Sequence, residues 1–453
     1  MAGTRIHYDT AVVGAGPVGS LAALSLAQRG DEVLLLEANP AAAHRFAGEW
    51  LHPPAVEAMR ALGIEEPASA QRGRGFVVFP DDGSEPIVLP YSDGSYGLAC
   101  EHHVLVEQLR AAAVRHPHVT YRTGARFTSL DLEALSLGAG SLEMTDKESG
   151  DRERVRAGRV VGADGRSSVV RAASGGQAEH VAVSRMAGLV LEGVKLPYEG
   201  FGHVFLGAPG SVLAYRIAPD KVRICVDLPQ SVGRLSDADL ISEYGPHLCE
   251  SLRTCFIAAI EAKSMSWAAI RVQRRRFYGR EGASLVGDSV GYYHPLTAAG
   301  MTLGFADAIE LSRSKDHDGF RRRRLRNIRV PELLAMALYE VFTDRSDEMA
   351  AMRHAIYTLW RTSPTECART MRFLACQDTR VPSFLLSFVR VMRIAGLELA
   401  LPKNPAPLKR RAQMVGRWFG RGVSMASGLS VPMMQKAAGR LGLETSDTSS
   451  KVT

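Results

Sequence analysis

A glycine cluster near the start of the chain constrains its fold more than any other feature. A short β-branched run, Tyr8 to Val13, leads into Gly14, Gly16 and Gly19 in the spacing G-x-G-x-x-G, and a helical pattern follows. The next apolar run ends at an acid, Glu37. Such glycines let the backbone approach a pyrophosphate, and the acid can accept hydrogen bonds from a ribose. The pattern predicts a dinucleotide-binding βαβ unit, and the alternative is a plain βαβ unit with a glycine-rich turn.

Two later segments repeat the strand-to-helix pattern with an aspartate. Asp164 lies in Gly-Ala-Asp-Gly after one apolar run, and Asp288 follows Gly287 after another, with a helix starting near Gly300. An aspartate at a strand end can hold a ribitol hydroxyl, and a helix start can point N–H groups at the pyrimidine end of a flavin. Taken alone, either segment is equally compatible with a strand turn and a helix cap.

Together the motifs resemble the single-FAD aromatic hydroxylase superfamily, in the same order along the chain. Within it, the segment from His294 to Thr302 and the segment from Arg45 to Pro53 resemble squalene monooxygenase, including its R-x-x-G-E-x-L-x-P stretch. The chain departs from that family at Ala298 and Ala299, where squalene monooxygenases have glycines. No W-x-W-x-I-P segment is present, which argues against the flavin halogenases of the superfamily.

The resemblance implies an α/β fold of the GR2/PHBH type. A Rossmann-like FAD-binding domain would carry an inserted antiparallel β-sheet substrate domain and a helical C-terminal region. Alternating polar and apolar residues at 221–227 independently favour an antiparallel sheet. We predict an FAD-binding domain at 1–75, 100–175 and 270–325, a substrate domain at 76–99 and 176–269, a helical region at 326–443 and a flexible tail at 444–453.

The resemblance also implies a set of cofactor contacts. They are Gly14, Gly16, Pro17, Gly19, Glu37, Arg45, Asp164, Gly287, Asp288, Pro295, Gly300 and Met301. His294, beside the predicted flavin loop, is the best candidate for hydrogen bonding near the reacting centre, and a histidine that caps a turn explains it equally well. The cysteines are scattered without a CxxC pair, so we predict no metal site and reduced thiols in a cytoplasmic protein.

The implied activity is an FAD-dependent monooxygenase. It would insert one oxygen atom from O2, by epoxidation or hydroxylation through a flavin C4a-hydroperoxide, into a lipophilic isoprenoid or prenylated aromatic substrate. The alternative is an FAD-dependent reductase of the geranylgeranyl reductase type, which inserts no oxygen. NAD(P)H is the expected reductant. No second G-x-G-x-x-G is present, so NAD(P)H either docks transiently or acts through a separate reductase.

The chain has a formal net charge of +7, and positive charge is concentrated near its end. The stretch from Lys403 to Leu443 contains basic residues and no acidic ones, and it follows an apolar helix pattern that arginines interrupt. We predict peripheral contact with the inner face of a membrane through these helices, and the alternative is a helical cap on the flavin domain. The arginine runs at 274–276 and 321–324 lack interleaved aromatics, which favours solvated faces or phosphate contacts over nucleic-acid binding.

Overall fold

A computed structural model of the protein describes residues 7–39, 41, 46–131, 140–400 and 413–420. The predicted cofactor contact Arg45 lies outside these residues. So do the predicted tail 444–453 and most of the basic stretch 403–443. The predictions made for those positions therefore rest on the sequence.

The described residues form strands and helices that alternate in the first part of the chain and become helical after residue 300. The strands are β1 His7–Val13, β2 Val33–Glu37, β3 Trp50–Leu51, β4 Gln71–Gly73, β5 Gly75–Phe79, β6 Ile87–Pro90, β7 Gly97–Ala99, β8 Val119–Thr123, β9 Ala125–Leu130, β10 Ser141–Asp146, β11 Arg152–Gly162, β12 Val181–Glu192, β13 Gly202–Phe205, β14 Val212–Ala218, β15 Lys221–Pro229, β16 Ser266–Val272, β17 Gly279–Arg280 and β18 Ala283–Leu285. The helices are α1 Pro17–Ala27, α2 Pro53–Ala61, α3 His102–Val114, α4 Val169–Ala173, α5 Asp237–Tyr244, α6 Glu250–Glu261, α7 Gly300–Arg313, α8 His317–Asn327, α9 Arg329–Thr343, α10 Asp347–Thr362, α11 Pro364–Leu374 and α12 Val381–Ala400.

An eight-stranded sheet carries the glycine motifs at one edge. Its main path is β17-β18-β11-β1-β2-β8, and the pairs β18–β11, β11–β1, β1–β2 and β2–β8 are parallel. Strand β1 is buried at every position from Thr10 to Val13, as a strand covered on both faces must be. Because parallel strands end at a common edge, the turns after β1, β11 and β18 come together there.

A seven-stranded sheet forms the second layer, in the order β16-β12-β15-β14-β13-β5-β6. Its pairs are antiparallel except β13–β5, where Gly202 pairs in parallel with Phe76. Strand β5 comes from a segment of the chain far from β13, so local alternation could predict the strand but not this partner. One face of the sheet packs on α5 and α6. The opposite face packs on the C-terminal helices.

The described part of the C-terminal region, 326–400 and 413–420, is helical, as the sequence predicts. Within the predicted helical region the chain turns from α9 to α10 between Thr343 and Asp347. A small sheet of β3, β7 and β4, which no sequence pattern indicated, contacts β14 of the second sheet. No described helix combines the length and apolar content that crossing a bilayer requires.

Candidate flavin site

The first glycine turn leaves room for a ligand only on one side. Gly14 has φ of +101°, and a Cβ there would lie 2.6 Å from the carbonyl oxygen of Ala163. A Cβ at Gly19 would lie 1.8 Å from the carbonyl oxygen of Gly14. Both positions therefore require glycine for the packing of β1, β11 and α1. A Cβ at Gly16 would meet no atom within 4 Å, so this position faces open space.

Glu37, the last residue of β2, forms hydrogen bonds with the first glycine turn. Its Oε2 accepts a hydrogen bond from the backbone N–H of Ala15 at 3.0 Å, and its Oε1 accepts one from Asn39 at 2.7 Å. The guanidinium of Arg110 donates to the carbonyl oxygen of Ala15 at 3.2 and 3.1 Å and lies 4.0 Å from the Glu37 carboxylate. Arg110 lies in the second half of α3, and no sequence motif pointed to it.

The Asp164 carboxylate accepts hydrogen bonds from groups that follow it closely in the chain. One carboxylate oxygen accepts from the Ser168 hydroxyl at 2.5 Å, and the other accepts from the N–H groups of Val169 and Val170 at 2.8 and 3.2 Å. These groups begin α4, so the carboxylate acts as a cap for that helix. Burial raises the pKa of Asp164, although these hydrogen bonds oppose the shift.

Asp288 lies at the turn after β18 and is more open. Its carboxylate forms an ion pair with Arg166 at 3.2 Å, and its side chain is 35% exposed. The preceding Gly287 has φ of +69° and donates its N–H to Asp307 at 2.9 Å. The Gly287 carbonyl accepts from Arg275 at 3.0 Å. Hydrogen bonds at both the N–H and the carbonyl of Gly287 thus fix the backbone of this turn. The Asp288 carboxylate is left at the sheet edge where the other motifs also lie.

The segment after Asp288 forms a short loop before α7. Pro295–Thr297 make one turn of 3-10 helix, and we call this turn together with Ala298 the flavin loop. Ala298 follows in the left-handed region with φ of +51°. A Cβ at Gly300, the first residue of α7, would meet no atom within 4 Å. Met301 lies close to Gly48, whose Cβ would be 3.7 Å from the Met301 methyl, so the two segments that resemble squalene monooxygenase meet here.

His52 ties the flavin loop to the second sheet. Its Nε2 lies 2.8 Å from the Thr297 carbonyl oxygen, and because a carbonyl only accepts, Nε2 carries the proton and donates. Nδ1 therefore accepts from the Tyr91 hydroxyl at 2.6 Å, and that oxygen in turn accepts from the Trp50 indole N–H at 3.1 Å. The backbone N–H of His52 donates to the Thr302 hydroxyl at 3.1 Å. Burial lowers the pKa of His52 to about 4, although its bond to Thr297 opposes the shift, so the ring is neutral near pH 7.

His294 caps the flavin loop. Its Nδ1 accepts from the Leu296 N–H at 3.2 Å, so Nε2 carries the proton and donates to Asp227 Oδ1 at 2.9 Å. The imidazole is also 4.2 Å, centroid to centroid, from the Tyr339 ring. Asp227 is fully buried on β15, and its Oδ2 has no hydrogen-bond partner among the described residues. The geometry supports the turn-capping alternative for His294. No sequence motif pointed to Asp227.

These features fit a dinucleotide with a flat ring system. The open side of Gly16 and the N-terminus of α1 offer backbone N–H groups to a pyrophosphate, and Glu37 lies at the end of the neighbouring strand. Gly300 begins α7, and α7 packs at Gly304 against Val18 of α1 and against Gly287. The described residues contain no group of three or more His, Cys, Asp or Glu that could hold a metal ion.

Comparison with known proteins agrees with this geometry. The family model for the FAD binding domain matches residues 7–314. The chain is 28% identical to squalene epoxidase 2 of Arabidopsis thaliana over 454 residues, covering 94% of this chain and 75% of that protein. It is 24% identical to squalene monooxygenase of Rattus norvegicus over 377 residues, covering 78% and 65% respectively.

Solved structures share the fold at low sequence identity. The flavin-dependent brominase Bmp2 gives a TM-score of 0.68 at 16% identity, covering 87% of this chain and 100% of that one. The p-nitrophenol 4-monooxygenase PnpA of Pseudomonas putida gives 0.66 at 17% identity, covering 83% and 100%. At such identities the likeness shows the fold alone, and it confirms the predicted GR2/PHBH-type α/β architecture.

The chain belongs to the family defined by the FAD binding domain, whose model spans most of its length. FAD is its cofactor, and NAD(P)H is the reductant typical of such enzymes. The protein is an FAD-dependent monooxygenase of the squalene epoxidase and aromatic hydroxylase type.

The buried neutral His52 predicts a specific loss of stability in acid. Its pKa is about 4 in the folded protein against 6.5 ordinarily, so the unfolded chain binds the proton more readily. Its contribution is complete above pH 6.5 and is lost as the pH falls towards 4, by up to about 3 kcal/mol. In urea unfolding at a series of pH values, His52→Gln should show a shallower loss over this window than the unsubstituted protein.

His118→Gln is the matched control, because His118 is exposed and pairs with Glu32 at the surface. It should leave the steep loss over this pH window in place. If His52→Gln and the unsubstituted protein lose stability equally between neutral pH and the acid limit, the assignment of a neutral, hydrogen-bonded His52 is wrong.

Proposed function

We propose that FAD lies along the shared sheet edge, held by the residues that the motifs single out. The contributing residues are Gly14, Gly16, Pro17, Gly19, Glu37, Gly287, Asp288, Pro295, Gly300 and Met301, with Asp164 acting through the turn that it caps. Support comes from the open space at Gly16 and Gly300, where a side chain would meet no protein atom. Arg45 keeps the role that the sequence resemblance gives it.

Substituting Gly16 tests this placement without disturbing the fold. Gly16→Ala adds a methyl group where the protein has no atom within 4 Å, and the backbone there is extended, with φ of −72°, which alanine adopts freely. We expect apoprotein stability to be unchanged and FAD affinity to fall by about tenfold or more, because the backbone must approach the pyrophosphate closely. Flavin fluorescence titration and thermal unfolding of the apoprotein measure the two quantities.

Gly416→Ala is the control, since a Cβ there also meets nothing within 4 Å and the residue is remote in sequence from the motifs. It should bind FAD like the unsubstituted protein. Unchanged FAD affinity in Gly16→Ala would show that the cofactor does not lie against this turn.

We further propose that the substrate is a lipophilic isoprenoid or prenylated aromatic molecule. The observation that carries this is the aromatic cluster on the sheet face nearest the flavin loop. Trp50 and Phe76 lie 4.9 Å apart, Trp50 and Tyr215 lie 5.8 Å apart, and Leu296 of the loop belongs to the same buried cluster. These side chains are themselves buried, and apolar surroundings of this kind favour an apolar ligand and exclude water. The similarity to squalene epoxidases supports the same class of substrate.

The residues around the loop position the reaction rather than transfer its protons. When bound, FAD supplies the redox chemistry that moves one oxygen atom from O2 to the substrate. His52 and His294 hold the flavin loop from the sheet side through Thr297 and Leu296. Epoxidation of an alkene requires no protein base, and neutral His52 in a dry aromatic cluster suits that reaction. NAD(P)H, directly or through a separate reductase, supplies the electrons.

Labelled oxygen distinguishes the proposal from the reductase alternative. FAD-loaded enzyme with NAD(P)H and a generic flavin reductase is incubated under isotopically labelled O2 with a panel of terpenoids and prenylated aromatics. The proposal predicts a product that gains one labelled oxygen, detected by mass spectrometry. A product that changes by two hydrogens without label would instead identify a reductase or dehydrogenase.

Two phenylalanines on one strand provide the matched variants. Phe76 belongs to the cluster that contains Leu296, whereas Phe79 stacks on Phe205 at 4.4 Å, in the cluster on the opposite face of the sheet. Phe76→Ala should raise the KM for the accepted substrate several-fold more than Phe79→Ala does. Equal effects of the two variants would argue against the substrate lying on this face.

We also propose peripheral membrane contact through α12. Leu386, Val389 and Leu397 are 49%, 60% and 54% exposed, and their helical spacing places them along one side together with Arg393. Phe419, in the helix at 413–420, is 63% exposed. A stripe of large apolar side chains with basic residues beside it is typical of a helix lying in a bilayer interface.

Serine substitutions test the membrane proposal. The variant with Leu386→Ser, Val389→Ser and Leu397→Ser should reduce binding to vesicles of phosphatidylcholine and phosphatidylglycerol by about tenfold or more, because it removes the apolar surface that would enter the interface. Vesicle flotation measures the bound fraction. A control with Val114→Ser, Val169→Ser and Val190→Ser, which are also exposed, should bind normally. Flotation that is absent from the start, or equal in both variants, favours the helical-cap alternative.

A further inference from the structure

A basic cleft lies between the segment after β16 and the C-terminal helices. It has a volume of about 840 Å³, and its wall includes Arg274, Arg276, Arg326, Arg329 and Arg380. Leu325, Ile328, Val381 and Pro382 add an apolar part to the same wall. This volume lies within the range of sites that hold an organic ligand rather than a lone ion. No residue of the cleft belongs to the cofactor contacts or to the aromatic cluster described above.

The positive charge of the cleft is only partly balanced by protein carboxylates. Glu332 pairs with Arg274 and accepts from the Tyr293 hydroxyl at 3.0 Å, so both of its oxygens are engaged. Asp378 pairs with Arg380 at 2.8 Å. Arg276, Arg326 and Arg329 form no ion pair with any residue that the structure describes.

Unpaired arginines that share a cleft indicate an anionic ligand. Arg276, Arg326 and Arg329 are exposed along the same cleft, so an anion bound there is attracted by several positive charges at once. The guanidinium group matches phosphate in geometry and can donate paired hydrogen bonds to it. The apolar part of the wall fits a phosphate carried on an organic body. We propose that this cleft is a binding site for a phosphorylated amphiphilic molecule, and the proposal is independent of the oxygen-transfer function proposed above.

The cleft also has a direct connection to the flavin loop region. Arg274 and Arg276 flank Arg275, whose guanidinium donates to the carbonyl oxygens of Gly287 and Gly291 at 3.0 and 2.7 Å. A ligand bound by Arg276 would therefore lie next to the segment that holds the turn preceding the flavin loop. The phosphate can come from a free metabolite or from a lipid headgroup, and the experiment separates these sources.

The test compares two sets of three arginine substitutions in FAD-loaded protein, in which the glycine turn is already occupied. The cleft variant carries Arg276→Gln, Arg326→Gln and Arg329→Gln. The control variant carries Arg313→Gln, Arg321→Gln and Arg322→Gln, which removes the same charge from exposed arginines outside the cleft. Binding of inorganic pyrophosphate is measured by calorimetry. Binding to phosphatidylcholine vesicles with and without phosphatidic acid is measured by flotation.

The proposal predicts that the cleft variant loses affinity by about tenfold or more for at least one probe, while the control variant stays within about twofold. Selective loss of pyrophosphate binding indicates a free phosphorylated ligand. Selective loss of the phosphatidic acid increment indicates a lipid headgroup. The proposal is overturned if the unsubstituted protein binds neither probe, or if both variants lose affinity equally, which would show only a general effect of charge. Thermal unfolding of both variants confirms that the fold is retained.

Discussion

One buried ion cluster fixes the geometry on which the flavin site depends. Asp307 on α7 lies between Arg275 and Arg324, and all three side chains are almost completely buried. The same carboxylate accepts the N–H of Gly287, and Arg275 donates to the carbonyl of that residue. Removing one member of such a cluster leaves the charges of the others unpaired in a low-dielectric environment. This typically costs about 3–5 kcal/mol of folding stability. The cluster therefore joins α7, α8 and the turn at Asp288 into one rigid unit.

The second constraint is the parallel order of the strands in the first sheet. Motifs separated by more than a hundred residues come together because β1, β11 and β18 end at the same edge. The squalene monooxygenase-like segments meet there too, since His52 contacts both Thr297 and Thr302. The aromatic cluster shares a buried core with Leu296 of the flavin loop, and the ring of Phe76 lies 5.9 Å from that of His52, centroid to centroid. The proposed substrate surface and the cofactor site thus share their supporting residues.

Sequence patterns were sufficient for the parts of the site that are local. A strand, a glycine turn, a helix and an acid follow one another within a short segment, so the first βαβ unit could be predicted from spacing alone. The resemblance added the order of the later motifs and the fold class, which the comparisons confirm.

Partners brought together only by tertiary structure could not be predicted. Asp227 faces His294 from 67 positions away, and Arg110 reaches Ala15 from 95 positions away. The arginine runs show the same limit, because Arg275 and Arg324 are buried against Asp307 while their neighbours Arg276 and Arg326 are exposed. The sequence of an arginine run does not indicate which of its side chains is buried.

The conformation of the flavin loop shows how the site and the second sheet depend on each other. Ala298 occupies the left-handed region, where the related family has glycine and where a side chain costs roughly 1–2 kcal/mol. Neighbouring contacts must therefore hold the loop in place. They come from His52 through the Thr297 carbonyl and from His294 through the Leu296 N–H, and both histidines are anchored in turn by Tyr91 and Asp227 near or on the second sheet. The conformation of the loop therefore depends on these contacts from the sheet side, because the backbone of Ala298 alone does not favour it.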